Sequence, residues 1–385
     1  MATVSTGVNQ QATIWPGQRR AHLAPAGAAL VFYWTGSAWE WRTSSGSPYT
    51  SWSSASTVTG AVQVAGLASV MDPATGNLHV IHKTSGGPDV VYRLFTYSAG
   101  SWSMGSSTTI STFDSGGNGE PLGLTLDASG RIWACIQHWT GSATCDIFYS
   151  ATGTSWTSSL TGSVASSSFS FGVCAVGNYV VFVRCHPSSG FYWRRVDLTG
   201  SLTSWSTEQS FSTPVYQDHN FALAEDGAGR LLAACSPFLN PDHAIYTATY
   251  STGTDSWTAR GEIGTGGNDR WPSLAKNPST GNVYCVWSEY AASNSYAVVY
   301  KEWDDGAATW GSKTTLQASG ANRLYTGCGC DGTTLLAVDT EGTSSYTAEA
   351  FATTVGSPPA QDTPELRGRP HGLRGHQQMR QLLAQ

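Results

Sequence analysis

The feature that most constrains this chain of 385 residues is a repeat of about fifty residues, marked by a tryptophan that follows a polar, glycine-containing turn. The marker residues are Trp52, Trp102, Trp156, Trp205, Trp257 and Trp310. Their spacings of 50, 54, 49, 52 and 53 residues are nearly even. A period of roughly 20–50 residues is typical of repeated supersecondary units that bury their apolar faces against one another.

Each repeat also contains two short apolar segments joined by a tight turn. Seven such hairpins lie at 22–34, 67–82, 122–136, 171–185, 221–235, 272–287 and 327–338. Turn pairs such as Asp-Gly, Asn-Pro and Gly-Asn supply the backbone conformations that a hairpin needs. With a strand on each side of the tryptophan turn, every repeat has four strands. The chain is therefore predicted to be all-β, a seven-bladed β-propeller of four-stranded blades, with each indole packed between neighbouring blades.

The ends of the chain indicate how the ring closes. The last hairpin is followed by one more strand, at 344–355, and by no fourth strand. Residues 2–8 have strand propensity and precede the first hairpin. We expect them to pair with the last blade, which removes an open sheet edge. Two stacked β-domains are the alternative, and the even spacing argues against them.

The last thirty residues differ from the repeats, so the propeller is assigned to 1–355 and a separate tail to 356–385. Residues 356–364 form a Pro-rich linker by composition. Residues 365–385 carry four Arg and two His. The tail is a frayed end, a docking peptide for a neighbouring subunit, or an expression or reading-frame artefact.

Composition excludes several classes of protein. The net charge is −6, and nucleic-acid binding usually requires a basic face. No apolar run reaches the roughly 18 residues of a membrane span, so no membrane insertion is expected. The first residues lack the basic and apolar regions of a secretory signal peptide. Charged residues are only 12% and aromatic residues 11%, which is typical of extracellular carbohydrate-binding proteins rather than of disordered chains.

The eight cysteines have no CxxC spacing, so no zinc site is predicted. Four of them lie fifty residues apart in apolar segments: Cys135, Cys185, Cys235 and Cys285. We expect small, buried core residues. The alternative is a cross-strand disulfide between Cys135 and Cys145. A second such pair is Cys174 with Cys185.

The tryptophan turns resemble those of the sialidase-like propellers, whose blades carry an Asp-box, Ser-x-Asp-x-Gly-x-x-Trp, between the third and fourth strands. The copies at 150–156 and 251–257 keep Ser, Gly and Trp but lack the Asp at the third position, and no copy is intact. The resemblance covers 1–355 in architecture. It implies the propeller fold and leaves the activity open.

Ligands of propellers usually bind at the funnel mouth, on loops that join an outer strand to the next inner strand. Arg20, Arg270 and Arg323 precede inner strands of the first, sixth and seventh blades, which are neighbours once the ring closes. Guanidinium groups bind carboxylates bidentately, and resemblance to sialidases implies an arginine triad for this purpose. Alternatively, each arginine satisfies loop carbonyls or pairs with rim acids. The predicted ligand-binding residues are Arg20, Glu120, Asp218, His219, Asp269, Arg270, Trp271, Arg323 and Tyr325. Trp271 and Tyr325 either stack on a sugar ring or pack in the core.

No catalytic set is evident. A glycosidase needs two carboxylates at a defined separation, or a Tyr nucleophile in sialidases. No spacing brings together any two of the candidates near the mouth, which are Glu120, Asp218, Asp269 and Glu289. A polysaccharide lyase would use His and Tyr, and the pairs available are His219 with Tyr216, or His79 or His82 with Tyr92.

No metal ligands and no cofactor are predicted. Asp127, Asp226 and Asp331 lie in the turns of inner hairpins, before or within a turn that contains glycine. An Asp in such a turn normally caps its own backbone. We expect that role for all three.

Three functions remain. The favoured one is a non-catalytic module that binds a cell-surface glycan or polysaccharide receptor from the surface of a bacteriophage virion, released by lysis. Its other partners would be virion proteins, contacted through the C-terminal tail. The alternatives are a carbohydrate-active enzyme, either a sialidase-like hydrolase or a lyase, and a purely structural virion propeller.

Overall fold

Sheet pairing in the computed structural model divides the described chain into seven consecutive antiparallel sheets. The structure describes residues 1–8, 19–61, 66–84, 89–112, 120–139, 143–163, 170–186, 190–211, 221–236, 244–264, 269–293, 295–342 and 345–355. The tail at 356–385 lies outside this description, so its assignment stays a prediction.

The strands follow the repeats predicted from sequence. The first strand is β1 (Ala2–Val8), and the first blade comprises β2 (Ala21–Leu23), β3 (Ala29–Trp34), β4 (Trp39–Ser44) and β5 (Ser56–Thr57). The second blade comprises β6 (Leu67–Met71), β7 (Leu78–Lys83), β8 (Asp89–Ser98) and β9 (Ser101–Thr112). The third comprises β10 (Glu120–Leu126), β11 (Ile132–Trp139), β12 (Ala143–Ser150) and β13 (Thr157–Ser163).

The second half of the ring has the same order. The fourth blade comprises β14 (Ser170–Val176), β15 (Tyr179–His186), β16 (Gly190–Asp197) and β17 (Gln209–Phe211). The fifth comprises β18 (Phe221–Glu225), β19 (Arg230–Cys235), β20 (Tyr246–Ser251) and β21 (Ser256–Glu262). The sixth comprises β22 (Arg270–Lys276), β23 (Val283–Ala292), β24 (Ser295–Asp304), β25 (Thr309–Trp310) and β26 (Thr314–Ala321). Both β25 and β26 pair with β24, so the outer strand of this blade is interrupted.

The seventh blade is completed by the first strand of the chain. It comprises β27 (Arg323–Cys330), β28 (Thr334–Glu341) and β29 (Tyr346–Thr354), with β1 antiparallel to β29. Thr3 lies opposite Glu349 in this pairing. The inner strands β27 and β2 are in contact, so the ring is closed. The seven-bladed propeller and its N-terminal closing strand are confirmed.

The hydrophobic core is divided among the blade interfaces. Within the described residues, the repeat tryptophans lie in clusters shared with the preceding blade, as predicted. Trp102, 5% exposed, packs among residues of the first and second blades and donates a hydrogen bond of 2.8 Å from Nε1 to the carbonyl of Gly76. Trp257 of the fifth blade lies 5.4 Å from the ring of Phe191 of the fourth. These indoles therefore join consecutive blades.

Glycine permits the seventh and first blades to approach closely. A Cβ at Gly329 on β27 would lie 2.6 Å from the carbonyl oxygen of Ala21 on β2. Such a distance is a steric clash with backbone, so closure of the ring requires glycine at this position.

The cysteines lie in the core, as expected. The seven whose side chains are described are buried free thiols, and the Cys185 side chain falls outside the description. Pairing of Cys174 with Cys185 is wrong, because Cys174 lies opposite Val181 and Cys185 lies opposite Ser170. An offset of four residues along the strands separates the two Cα atoms by far more than the roughly 7 Å that a disulfide allows.

Among the described ranges there is no helix with the length and apolarity that a bilayer crossing needs.

Candidate functional site at the rim of the sixth blade

The inner strands of the blades all begin at the same end of the ring, which we call the upper rim. The opposite end, the lower rim, carries the turns of the inner hairpins and the tryptophan turns. Residues predicted to bind a ligand precede or begin inner strands, so those that the structure describes are found at the upper rim.

Three predicted site residues lie together at the start of β22. Asp269 is fully buried, and its Oδ1 accepts a hydrogen bond of 3.0 Å from the backbone N–H of Tyr290. This bond ties the start of β22 to the upper end of β23. The half-buried Arg270 follows, opposite Ser288 in the register. The rim of the sixth blade therefore holds a cation beside a firmly anchored loop end.

Trp271 has an unusual backbone conformation. Its φ is 55°, in the left-handed region, which is an outlier for a bulky side chain. The indole is 5% exposed and packs against Tyr296 and Leu324, and its carbonyl accepts a hydrogen bond from the Thr326 hydroxyl of the seventh blade. Contacts of this kind hold a strained residue in place, and such residues cluster at functional sites.

Among the described residues at the rim of the sixth blade, Tyr290 presents a half-buried aromatic ring, which sequence reasoning missed. It is half-buried, and its ring centroid lies 5.6 Å from that of the buried Tyr296. The signal was present in the sequence, since Tyr290 and Tyr296 flank the connection between the second and third strands of the blade. Trp271 instead takes the core-packing role that was its alternative.

The pKa of Tyr296 reflects the charged groups around it. Burial raises the pKa of Tyr296, Asp269 and Tyr290 raise it further, and Arg270 opposes the shift. The cation, the carboxylate and the two phenols therefore share one environment.

An ion pair between Lys313 and Glu289 lies near Tyr290. The Lys313 Nζ lies 2.7 and 2.8 Å from the two carboxylate oxygens of Glu289, beside Tyr290 in sequence. The Glu289 side chain is 14% exposed. Since one carboxylate is bonded to lysine and that of Asp269 is buried, the described geometry does not present them as an open acid pair.

The side chain of Arg20 does not reach the rim of the sixth blade. It is fully buried, with its guanidinium 4.3 Å from the ring centroid of Trp39 and a hydrogen bond to the carbonyl of Leu67 on the second blade. Burial lowers its pKa. Arg20 therefore has the structural role that was the alternative to ligand binding, in which the guanidinium donates to a backbone carbonyl.

Arg323 is also occupied. Its guanidinium lies 3.1 Å from Asp339, 3.2 Å from Glu349 and 2.7 Å from Glu341, all on the seventh blade. The side chain is 4% exposed. The three arginines thus do not converge on one point, because two of them are buried in blade contacts. Arg270 alone of the three is half-buried at the rim.

Several predicted residues cannot be placed. Asp218 and His219 lie outside the described residues, as does Tyr216. Glu120 and Tyr325 lie in described strands, β10 and β27, but their side chains fall outside the description. Their ligand-binding roles stay predictions.

Arg19 is a second cation that sequence reasoning passed over. Its φ is 50°, and its Nη2 reaches across the ring to the carbonyl of Leu223 on the fifth blade, at 3.5 Å. Together with Phe171, Phe221 and their neighbours, Arg19 lines a cavity on the axis of the ring. The free volume of this cavity is about 20 Å³. That volume holds about one water molecule. The cavity is therefore too small for a sugar.

The His–Tyr pair considered for a lyase exists, but at the lower rim. His79 Nδ1 and the Tyr92 hydroxyl are 2.9 Å apart, and Tyr92 packs against Trp156 of the third blade. Burial lowers the pKa of His79 to about 4 and raises that of Tyr92 to about 12. His82 is buried and accepts a hydrogen bond of 3.1 Å from Arg93. The two histidine contacts lie within the second blade, and Tyr92 also packs against the third blade.

The turn aspartates cap their own backbones, as predicted. Oδ1 of Asp127 accepts hydrogen bonds of 3.0 Å from the N–H groups of Ser129 and Arg131. Oδ1 of Asp226 and of Asp331 accept equivalent bonds within their turns. Among the residues described, no group of three or more His, Cys, Asp or Glu side chains has the geometry of a metal site.

No protein-family model matches this sequence, and a search of curated proteins also finds no match. Solved structures do match the fold. An ulvan lyase, from a polysaccharide lyase family, has a TM-score of 0.59 at 11% identity over 92% of this chain and 97% of the lyase. The Trypanosoma rangeli sialidase has a TM-score of 0.51 at 10% identity over 87% of this chain and 54% of the sialidase.

A fungal lectin, from Aleuria aurantia and described as a six-bladed propeller, has a TM-score of 0.50 at 14% identity over 80% of this chain and 96% of the lectin. At these identities the likeness concerns the fold. At that level, the resemblance to the sialidase-like propellers is confirmed.

Proposed function

We propose that this propeller binds an acidic glycan at the upper rim of its sixth blade, and that it does not cleave the glycan. The observation that carries the proposal is the position of Arg270, whose guanidinium lies 5.6 Å from the ring centroid of the strained Trp271 and which pairs with Ser288, two residues before Tyr290 on β23. A cation and an accessible aromatic ring on an anchored strand end are the two groups that a uronic acid unit requires.

The charge of Arg270 supports an anionic ligand. Guanidinium groups recognise carboxylates through two parallel hydrogen bonds, which give geometric as well as energetic specificity. A hydrogen bond to a charged group contributes about 1.5–3 kcal/mol. Loss of the arginine is therefore expected to weaken binding by roughly tenfold or more.

Tyr290 supports a sugar rather than a simple anion. The apolar face of a pyranose packs on an aromatic ring through dispersion, and the phenol hydroxyl remains available for a hydrogen bond. The ring is held in place by Tyr296 beneath it and by the bond from its own N–H to Asp269. The fold supports the same reading, because propellers of this architecture include a lectin and two carbohydrate-active enzymes.

The test is a glycan array that includes uronic acid polysaccharides and the same polymers after reduction of their carboxyl groups. Wild-type protein should bind the acidic forms and lose binding to the reduced ones. Arg270→Ala should abolish this difference, whereas Arg194→Ala should not. Arg194 is a suitable control because its side chain is 31% exposed on the fourth blade.

Tyr290 allows a finer comparison. Tyr290→Phe keeps the ring and should retain most binding, and Tyr290→Ala should lose it. Equal binding to acidic and reduced glycans, or an unchanged affinity in Arg270→Ala, would contradict the proposal. Shortening of a bound polysaccharide on incubation would instead favour an enzyme.

The setting remains part of the proposal. We infer a virion surface protein of a bacteriophage, whose receptor is a glycan on the host cell and whose other contacts are virion proteins. The Ser-, Thr- and Gly-rich composition, with 12% charged residues, supports an extracellular surface. Peptides of this chain should be found in purified particles, and their absence from every particle preparation would contradict this setting.

A further inference from the structure

Two cysteines of the third blade are in direct contact. Cys135 lies on β11 and Cys145 on the adjacent antiparallel strand β12, and their Sγ atoms are 3.0 Å apart. In the register, Cys145 is opposite Gln137 and Cys135 is opposite Ile147. The two are therefore diagonal neighbours, offset by two residues, and their side chains project from the same face of the sheet.

We propose that Cys135 and Cys145 form a disulfide when the chain folds in the presence of a small-molecule disulfide such as oxidised glutathione. One Sγ–Sγ bond forms in the protein while the S–S bond of glutathione breaks. The two cysteine thiols lose two protons and two electrons, and one molecule of oxidised glutathione takes them up to become two molecules of reduced glutathione. The step follows ordinary thiol–disulfide exchange through a mixed disulfide.

Burial of the two cysteines limits the reaction to an early stage of folding. Both cysteines are fully buried among apolar residues of the third and fourth blades, including Trp133 and Phe182. Burial raises the pKa of the Cys145 thiol well above its usual value, and the thiol of Cys135 adds to this. Since the thiolate is the attacking species, exchange occurs before the fourth blade covers the hairpin, not in the finished ring.

The bond would have a mechanical consequence. It would link β11 and β12 near the upper rim, where both strands meet the connection at 140–142. A covalent link across a short hairpin limits its opening and stabilises the fold mainly by restricting the unfolded chain.

The test starts from wild-type protein refolded with oxidised and reduced glutathione. The product is denatured without reductant, alkylated with iodoacetamide and mapped by mass spectrometry. We expect Cys135 and Cys145 to escape alkylation and to appear as a linked peptide. Cys235 and Cys285, which are also buried, should be alkylated and so serve as internal controls. Alkylation of Cys135 and Cys145 to the same extent as these two would overturn the proposal.

A second measurement concerns stability. Wild-type protein refolded with oxidised glutathione should melt at a higher temperature than wild-type protein refolded in the presence of reductant alone. In Cys135→Ala this difference should vanish, whereas in Cys235→Ala it should persist. A difference that is the same in both variants would show that another cysteine pair is responsible.

Discussion

Arg323 on β27 donates a hydrogen bond of 3.1 Å from Nη1 to Oδ2 of Asp339 on β28, and both side chains are buried in the seventh blade. Two more carboxylates, Glu341 and Glu349, share the same guanidinium. One cation cannot fully compensate three anions. Burial therefore dominates and raises the pKa of Asp339 to about 7 and that of Glu349 to about 6.

A pH dependence follows for Asp339. Because its folded-state pKa lies above the ordinary value of 3.8, its contribution to stability is complete below pH 4 and is lost as the pH rises towards 7. The loss is on the order of 2–4 kcal/mol. Asp339→Asn, which mimics the protonated form, should be more stable than wild type at pH 7.5 and similar to it at pH 4.5. Urea unfolding at both pH values measures this, and a pH-independent difference would contradict it.

His82 should make the fold less stable as the pH falls, which is the opposite of the effect of Asp339. Burial is the main cause that lowers the pKa of His82 to about 4, and His82 accepts a hydrogen bond from Arg93 that protonation would break. Its contribution to stability is therefore complete above pH 6.5 and is lost as the pH falls to about 4, by on the order of 2–3 kcal/mol. His82→Gln keeps an acceptor and does not titrate. Its unfolding free energy should fall less than that of wild type between pH 7 and pH 4.5, and parallel curves would disprove this role.

Closure of the ring should depend on a missing side chain. Gly329→Ala places a Cβ 2.6 Å from the Ala21 carbonyl, so the seventh and first blades must separate. We expect a loss of about 1–3 kcal/mol in the free energy of unfolding. Gly46→Ala is the control, because a Cβ there meets nothing within 4 Å. Equal unfolding midpoints in urea for both variants would argue against this close approach.

Replacement of Arg20 should destabilise the fold more than replacement of its neighbour Arg19. Arg20→Ala removes a buried donor to Leu67 and the cation over Trp39, and we expect it to destabilise the fold by about 2–3 kcal/mol. Arg19→Ala removes a half-buried group whose bond to Leu223 is 3.5 Å long, and it should cost less than about 1 kcal/mol. Thermal unfolding of the two variants side by side checks this. The reverse order would mean that the axial arginine, and not the interblade one, supports the ring.

The fold was predictable because its signals are local and repeated. A tryptophan turn or an apolar hairpin marks each blade. The seventh repeat lacks a fourth strand in sequence, and residues 2–8 supply it. Neither inference required knowledge of distant contacts. The interrupted outer strand of the sixth blade was not predictable, because the break between β25 and β26 follows from pairing with β24 rather than from a local pattern.

The site was predicted only in part, because side chains in a strand alternate between faces. A shift of one residue exchanges the surface that a side chain meets. Arg19 lies at the axis and Arg20 lies between blades, and the positive φ at Arg19 is not evident from the sequence. Tyr290 was missed for another reason. The β23 strand continues to Ala292, beyond the predicted hairpin end at 287, and so brings this ring beside Arg270.

The pairing of β1 with β29 also bears on how the protein is synthesised. Thr3 and Glu349 lie opposite each other but leave the ribosome roughly 20–70 s apart at ordinary elongation rates. For that interval the earliest strand has no partner, and the growing stack of blades has an open edge at each end. The nascent chain is thus most exposed to aggregation just before its last blade emerges, which is when a chaperone would have the greatest effect on yield.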